Sequence, residues 1–120
     1  MASAEELIRG AIGRVQNEVP ALEKLKLVFG LELPARGDVQ VFRVELPGPK
    51  IKKGFSDDER LRLSIPRSMF NILATEGEVA DWREAFEHGH LKVEGNPKVQ
   101  QLIGQVIDKA TARAHLRKTR

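Results

Sequence analysis

The chain has 120 residues, of which 41% are hydrophobic and 31% charged; that length and balance suit one folded domain over residues 1–120 and exclude a disordered tail. It contains no cysteine, which excludes disulfides, a thiolate nucleophile and cysteine-ligated zinc or iron–sulfur clusters. Lysine and arginine number 20 against 17 acidic residues, a net charge of only +3, too even a balance for a general nucleic-acid footprint.

In chain order, Ser3 followed by Glu6 forms a capping box, and Leu7, Ile8, Ala11, Ile12, Val15 and Val19 recur at helical spacing, predicting a helix over residues 4–18. Pro20 interrupts it, and Ala21 to Lys24 allow one more helical turn. The period then changes to two: Leu25, Leu27, Phe29, Leu31 and Leu33 alternate with other residues as a strand with one buried face. Pro34 and Gly37-Asp38 supply a turn, and Val39 to Leu46 form a second strand with Phe42, Val44 and Leu46 on one side and Arg43 and Glu45 on the other.

Pro47-Gly48-Pro49 ends that strand. Lys50 to Phe55, short and basic, reads as an edge strand whose lysines discourage further pairing. After a polar loop, Ser56 to Glu59, a fourth strand carries Leu61, Leu63 and Ile65. Pro66 opens a helix with Met69, Phe70 and Leu73 as its apolar face, and Gly77 stops it. A second helix places Val79, Trp82 and Phe86 on one side and runs to His88; Leu91 and Val93 then mark a fifth strand. Asn96 caps and Pro97 opens the last helix, with an apolar stripe of Val99, Leu102, Ile103, Val106, Ile107 and Ala110.

The common catalytic and phosphate-binding motifs are missing, so the chain reads as no enzyme and as needing no cofactor. Glu87, His88 and His90 are the only cluster of metal-ligand types; two histidines at a helix end read as partners of the helix dipole, and no metal is expected. Arg9-Gly10-Ala11-Ile12-Gly13-Arg14 contains the Gly-x-x-Gly of a nucleic-acid clamp, but inside a continuous helical stripe. Lys109, Arg113, Arg117, Lys118 and Arg120 face only Asp108 nearby. That basic end is either a solvated helix terminus favoured by the dipole or a patch for phosphate or lipid headgroups at a membrane surface. The start, Met1-Ala2-Ser3-Ala4-Glu5-Glu6, lacks the basic and apolar segments of a signal peptide, and no apolar run approaches membrane-spanning length, so a cytoplasmic location is expected.

The segment from Asp81 to Asn96, a helix ending in His88-Gly89 followed by Gly89-His90-Leu91-Lys92-Val93-Glu94-Gly95, resembles the family of sterol carrier protein type 2 domains. Leu61-Arg62-Leu63-Ser64-Ile65 followed by Met69 to Leu73 is similar to the part of that family just before it. Pro47-Gly48-Pro49 with Lys50 to Lys53 departs from it, where an aromatic hairpin is common, and so bears on the cavity edge. The resemblance implies an α+β fold: helix, three strands, a crossover to strand four, two helices, strand five and a C-terminal helix. It further implies a five-stranded mixed sheet and an apolar tunnel between sheet and helices for a fatty acyl chain, acyl-CoA, phospholipid or sterol.

Under that resemblance Met69, Leu73, Trp82, Phe86, Ile103 and Ile107 wall the lipid pocket; as ordinary core residues they need no ligand at all. A dry tunnel of roughly 300 Å³ at about 24 cal/mol per Å³ would cost about 7 kcal/mol, so any such space is expected to be filled or collapsed. Three functions follow: lipid binding or transfer, a non-catalytic accessory module with a protein partner in a lipid or quinone pathway, and, with least support, nucleic-acid binding.

Overall fold

The computed structural model describes residues 3–55 and 57–118, with the side chains at 110, 111 and 113–118 outside that description. Ser56 of the polar loop, Ala110 of the apolar stripe, and the basic side chains of Arg113, Arg117, Lys118 and Arg120 therefore lie outside the described residues. Helix α1 spans Ala4–Glu18, with Ser3 Oγ accepting from Glu6 N at 3.2 Å. Pro20–Lys24 make a 3-10 turn that Leu25 N closes by donating to Leu22 O. Leu25 is thereby held in the turn, which is why strand β1 begins two residues later than the alternation predicts and spans Leu27–Ala35.

Strand β2 is Asp38–Leu46, β3 Lys50–Lys53 and β4 Leu61–Ser64. Helix α2 is Arg67–Glu76, α3 Val79–Glu87, β5 Lys92–Gly95 and α4 Pro97–Lys118. The five strands form one mixed sheet in the order β3-β2-β1-β4-β5, with β1 antiparallel to β2 and parallel to β4. The architecture is the α+β one that the sequence predicts, and the lysine-rich β3 does occupy an edge.

One face of the sheet carries the core. Leu27, Phe29, Leu31 and Leu33 of β1, Phe42 and Val44 of β2 and Leu61 of β4 are buried together with Ile8 and Ala11 of α1 and Phe70 and Ala74 of α2. Strand alternation puts these residues on the same side as the helices. A smaller cluster, Val19, Leu22 and Val79, joins the end of α1 to the start of α3. Glu18 Oε2 fixes that corner by accepting from Val79 N at 2.7 Å.

The opposite face is crossed by the segment linking β3 to β4. Gly54 N donates to Val41 O and Arg60 N to Val28 O, both at 2.8 Å, which extends the β2–β3 and β1–β4 pairings by one residue at either end of the segment. Gly30 lets it lie flat: a Cβ there would come within 2.9 Å of the Phe55 ring and 2.7 Å of Glu59 Oε2. The Arg62 guanidinium stacks 3.8 Å from the Phe55 ring centre and also pairs with Glu59 at 3.2 Å. Arg43 ties the same segment down by donating through Nε to Asp58 Oδ1 at 3.1 Å.

Two expected helix faces differ in the structure. In α3 Val79 and Ala85 are buried and Trp82 half-buried, whereas Phe86 is 52% exposed. His90 N and Leu91 N both donate to Ala85 O, so the chain doubles back at Gly89 and Leu91 packs on the core beside the last turn, leaving Phe86 outside. In α4 Val99, Ile103, Val106 and Ile107 are half-buried, but Leu102 is 48% exposed. No residue of α4 is fully buried among those described: Val99 and Ile103 only flank the main core, and Val106 and Ile107 the smaller cluster.

Candidate functional site

At the end of the sheet where β1 starts, β2 ends and α4 begins, an open cleft of about 650 Å³ separates strands from helix. Its apolar wall consists of Leu25, Leu27, Leu46 and Pro47 on the sheet side and Val99 and Leu102 on α4. Asn96 positions the helix wall: its Oδ1 accepts from Lys98 N at 2.9 Å and from Val99 N at 3.3 Å, satisfying the first turn of α4. The Pro-Gly-Pro turn is positioned by α1, since Gln16 Nε2 donates to Pro47 O at 3.0 Å and Arg9 NH1 to Pro49 O at 3.1 Å.

The other part of the cleft is polar. Lys26, Glu45, Lys50, Asp58 and Arg60 line it beside Val28 and Gly48. Asp58 takes two hydrogen bonds from Arg43, and this hydrogen bonding holds the Arg43 guanidinium above its ordinary pKa. Arg43 also lies 4.0 Å from Glu45. A second, more polar cleft of about 450 Å³ adjoins it across Asp58, bordered by Arg43, Lys52, Lys53 and Phe55.

The six residues expected to wall a pocket are only partly together. Met69 and Leu73 on α2, Trp82 on α3 and Ile103 on α4 are half-buried against the main core, with Trp82 edge-on to Phe70 at 5.9 Å between ring centres. Ile107 packs on the smaller cluster, and Phe86 is exposed. The residues that border the cleft are different ones. Pro47 and Gly48 belong to the turn already marked as unlike the family's; Leu25 and Leu102 carried only the signal of being apolar, which core residues share.

The remaining sequence features lie outside the lining of this cleft. The Gly-x-x-Gly lies within α1, where Arg9 is engaged by Pro49 O and Arg14 NH1 donates to Ala74 O at 3.3 Å. His88 and His90 stack edge to face at 6.4 Å, and among the described residues no three His, Asp or Glu side chains converge as metal ligands. No described helix is long and apolar enough to cross a membrane.

No protein-family model matches the chain, and no curated protein is similar to it in sequence. Solved structures are. Sterol carrier protein domain 2 of Helicoverpa armigera superposes with a TM-score of 0.61 at 14% identity, covering 90% of this chain and 87% of that one. Palmitated sterol carrier protein 2 like 2 from Aedes aegypti gives 0.58 at 17% identity over 83% and 93% of the two chains. The fold is that of the sterol carrier protein 2 domains. A third structure with the sterol carrier fold, the UbiJ-SCP2 ubiquinone synthesis protein, gives 0.52 at 16% identity over 92% and 96%. At these identities the likeness establishes the sterol carrier architecture, and the ligand has to be argued from the cleft.

Proposed function

We propose that the protein binds or transfers lipid, holding an apolar chain between the end of the sheet and α4. The observation that carries this reading is the cleft of about 650 Å³ walled by Leu25, Leu27, Leu46, Val99 and Leu102 and left open to solvent. Its volume falls in the range of small-ligand clefts, roughly 300–1,000 Å³. Each methylene buried there contributes about 0.8 kcal/mol before the costs of ordering the chain. The palmitated structure from Aedes aegypti, with the same fold, supports a fatty acyl chain as the first ligand to try.

In the same proposal, Met69, Leu73, Trp82, Phe86, Ile103 and Ile107 form a deeper wall that a long chain reaches by wedging α4 away from α2 and α3. The cytoplasm is the proposed compartment, in keeping with a cysteine-free chain, and the basic C-terminal end is the proposed contact with a membrane surface during delivery. Native mass spectrometry with palmitate should show one bound chain per protein. Fatty acids brominated near the tail should quench Trp82, and those brominated near the head should not. Absence of any adduct at micromolar ligand would reject lipid binding; an adduct without quenching would return the six residues to the core.

A second reading, an accessory module acting beside partner proteins, draws on the UbiJ-SCP2 ubiquinone synthesis protein, which matches over nearly its whole length. It is supported by recovery of the protein in a complex of fixed stoichiometry from its native cell, and refuted by recovery of the free chain alone.

A further inference from the structure

The two edges of the sheet differ in charge. Strand β5 carries both signs, Lys92 and Glu94, whereas β3 reads Lys50-Ile51-Lys52-Lys53 and holds no acid. The direction of the main-chain groups of β3 follows from its register. Gly54 N donates to Val41 O and continues the β2–β3 pairing, so Lys50, Lys52 and Gly54 turn their N–H and C=O groups toward β2. Antiparallel strands alternate in this respect. Ile51 and Lys53 therefore turn theirs outward, where they meet no hydrogen-bond partner among the described residues.

The side chains sort by face in the same way. Lys50 and Lys52 are exposed on the face turned away from the helices, opposite Glu45 and Arg43 of β2. Ile51, opposite the buried Val44, lies on the helix side, half-buried against the main core; Lys53, on that side too, is exposed. None of the three lysines has a carboxylate within ion-pair distance among the described residues, and Glu45 and Asp58 are both engaged by Arg43. Like charges directly opposite one another disfavour strand pairing and opposite charges favour it. The lysines that keep a second copy of β3 from pairing with this edge therefore admit a strand of the other sign.

We propose that the β3 edge docks an extended acidic segment of a partner protein, which adds to the sheet as a further strand. The main chain of that segment pairs with Ile51 and Lys53. An apolar side chain of it lies beside Ile51, and the acidic side chains before and after face Lys50 and Lys52. Strand addition of this kind draws its affinity from main-chain hydrogen bonds and its specificity from alternate side chains. The inference holds whether or not the cleft beside α4 takes a lipid, because the outward groups of Ile51 and Lys53 are no part of that cleft.

Titration of amide NMR spectra with the end-capped peptide Thr-Glu-Val-Glu-Glu-Thr tests it, with Thr-Lys-Val-Lys-Lys-Thr as the charge-reversed control. The acidic peptide should move the Ile51 and Lys53 amides and slow their exchange with solvent. It should bind about tenfold or more tighter than the control, the factor expected of two or three exposed ionic contacts, and salt should weaken it. N-methylating alternate amides of the peptide, one set at a time, should abolish binding for one set and spare it for the other, because only alternate N–H groups of an added strand face the edge. Lys53→Pro removes an outward N–H at an exposed position, so it should keep the fold, as a thermal melt would show, and lose the peptide. Lys50→Gln combined with Lys52→Gln should bring the acidic peptide down to the affinity of the control. No binding of the acidic peptide at millimolar concentration overturns the proposal, as does equal binding of the two peptides. Binding that tolerates both N-methylated sets, or that persists in a folded Lys53→Pro protein, is charge attraction without strand addition and overturns it. A concentration-dependent dimer that Lys53→Pro abolishes assigns the edge to a second copy of the chain and overturns it as well.

Discussion

Gly95 ends β5 at φ +128°, and a Cβ built there would lie 2.4 Å from Arg60 O and 2.9 Å from Leu61 Cα. Both contacts are main chain and cannot rotate away, so Gly95→Ala is expected to destabilise the fold by about 3 kcal/mol or more. Gly104, inside α4, has nothing within 4 Å of its would-be Cβ; Gly104→Ala should stabilise by up to about 1 kcal/mol through helix propensity alone. Urea midpoints of the two variants check both signs. The glycine after Lys92-Val93-Glu94 was visible in the sequence as part of the resemblance, but its reason was not, because the atoms it must avoid belong to Arg60 and Leu61, far earlier in the chain. Glu59 poses a second residue-level question. Its side chain is only 5% exposed, with Oε2 lacking a hydrogen-bond partner among the described residues and Oε1 on the half-exposed Arg62. Arg62→Ala should cost about 2 kcal/mol, less than the 3–5 kcal/mol of a fully buried pair, by leaving a buried carboxylate without its cation. Adding Glu59→Met should recover most of that loss in a double-mutant cycle.

At the scale of the elements, helical periodicity gave the existence of α3 and α4 and misjudged which way their ends face. Val79, Trp82 and Phe86 are all apolar and near one side of the helix, yet the doubled-back chain at Gly89 supplies Leu91 to the core. Trp82→Ala is accordingly expected to destabilise by about 3 kcal/mol or more, and Phe86→Ala by less than about 1 kcal/mol, as thermal melts of the two variants would show. The stripe on α4 is real in sequence, but the helix has little to bury it against: Val99 and Ile103 touch the main core, Val106 and Ile107 the smaller cluster, and Leu102 the open cleft. A helix with few buried contacts opens at low free energy. Amide hydrogens of α4 should exchange well ahead of those of β1 and β2, and a ligand seated against Leu102 should slow them.

For the molecule as a whole, element order was readable because each strand keeps its period of two and each helix its caps: Ser3, Asn96 and the stop at Gly77 all stand where the pattern placed them. The cleft was not readable, since it is made by three pieces far apart in sequence, residues 25–28, 45–50 and 58–60, closed by the first turns of α4. Apolar residues look alike in sequence whether they fill a core or line an opening; only the pairing of β1 with β4 beside β2 brings these pieces to one end of the sheet. That same pairing sets the order in which the protein can be completed on the ribosome. The β1–β2 hairpin is local and can form as soon as it emerges, but the other side of β1 waits for residues 61–64, which are made a few seconds later at about 5–20 residues per second. Through that interval the apolar middle strand, Leu27 to Leu33, presents an unpaired row of peptide groups to every other nascent chain, and it is the stretch a chaperone would have to shield.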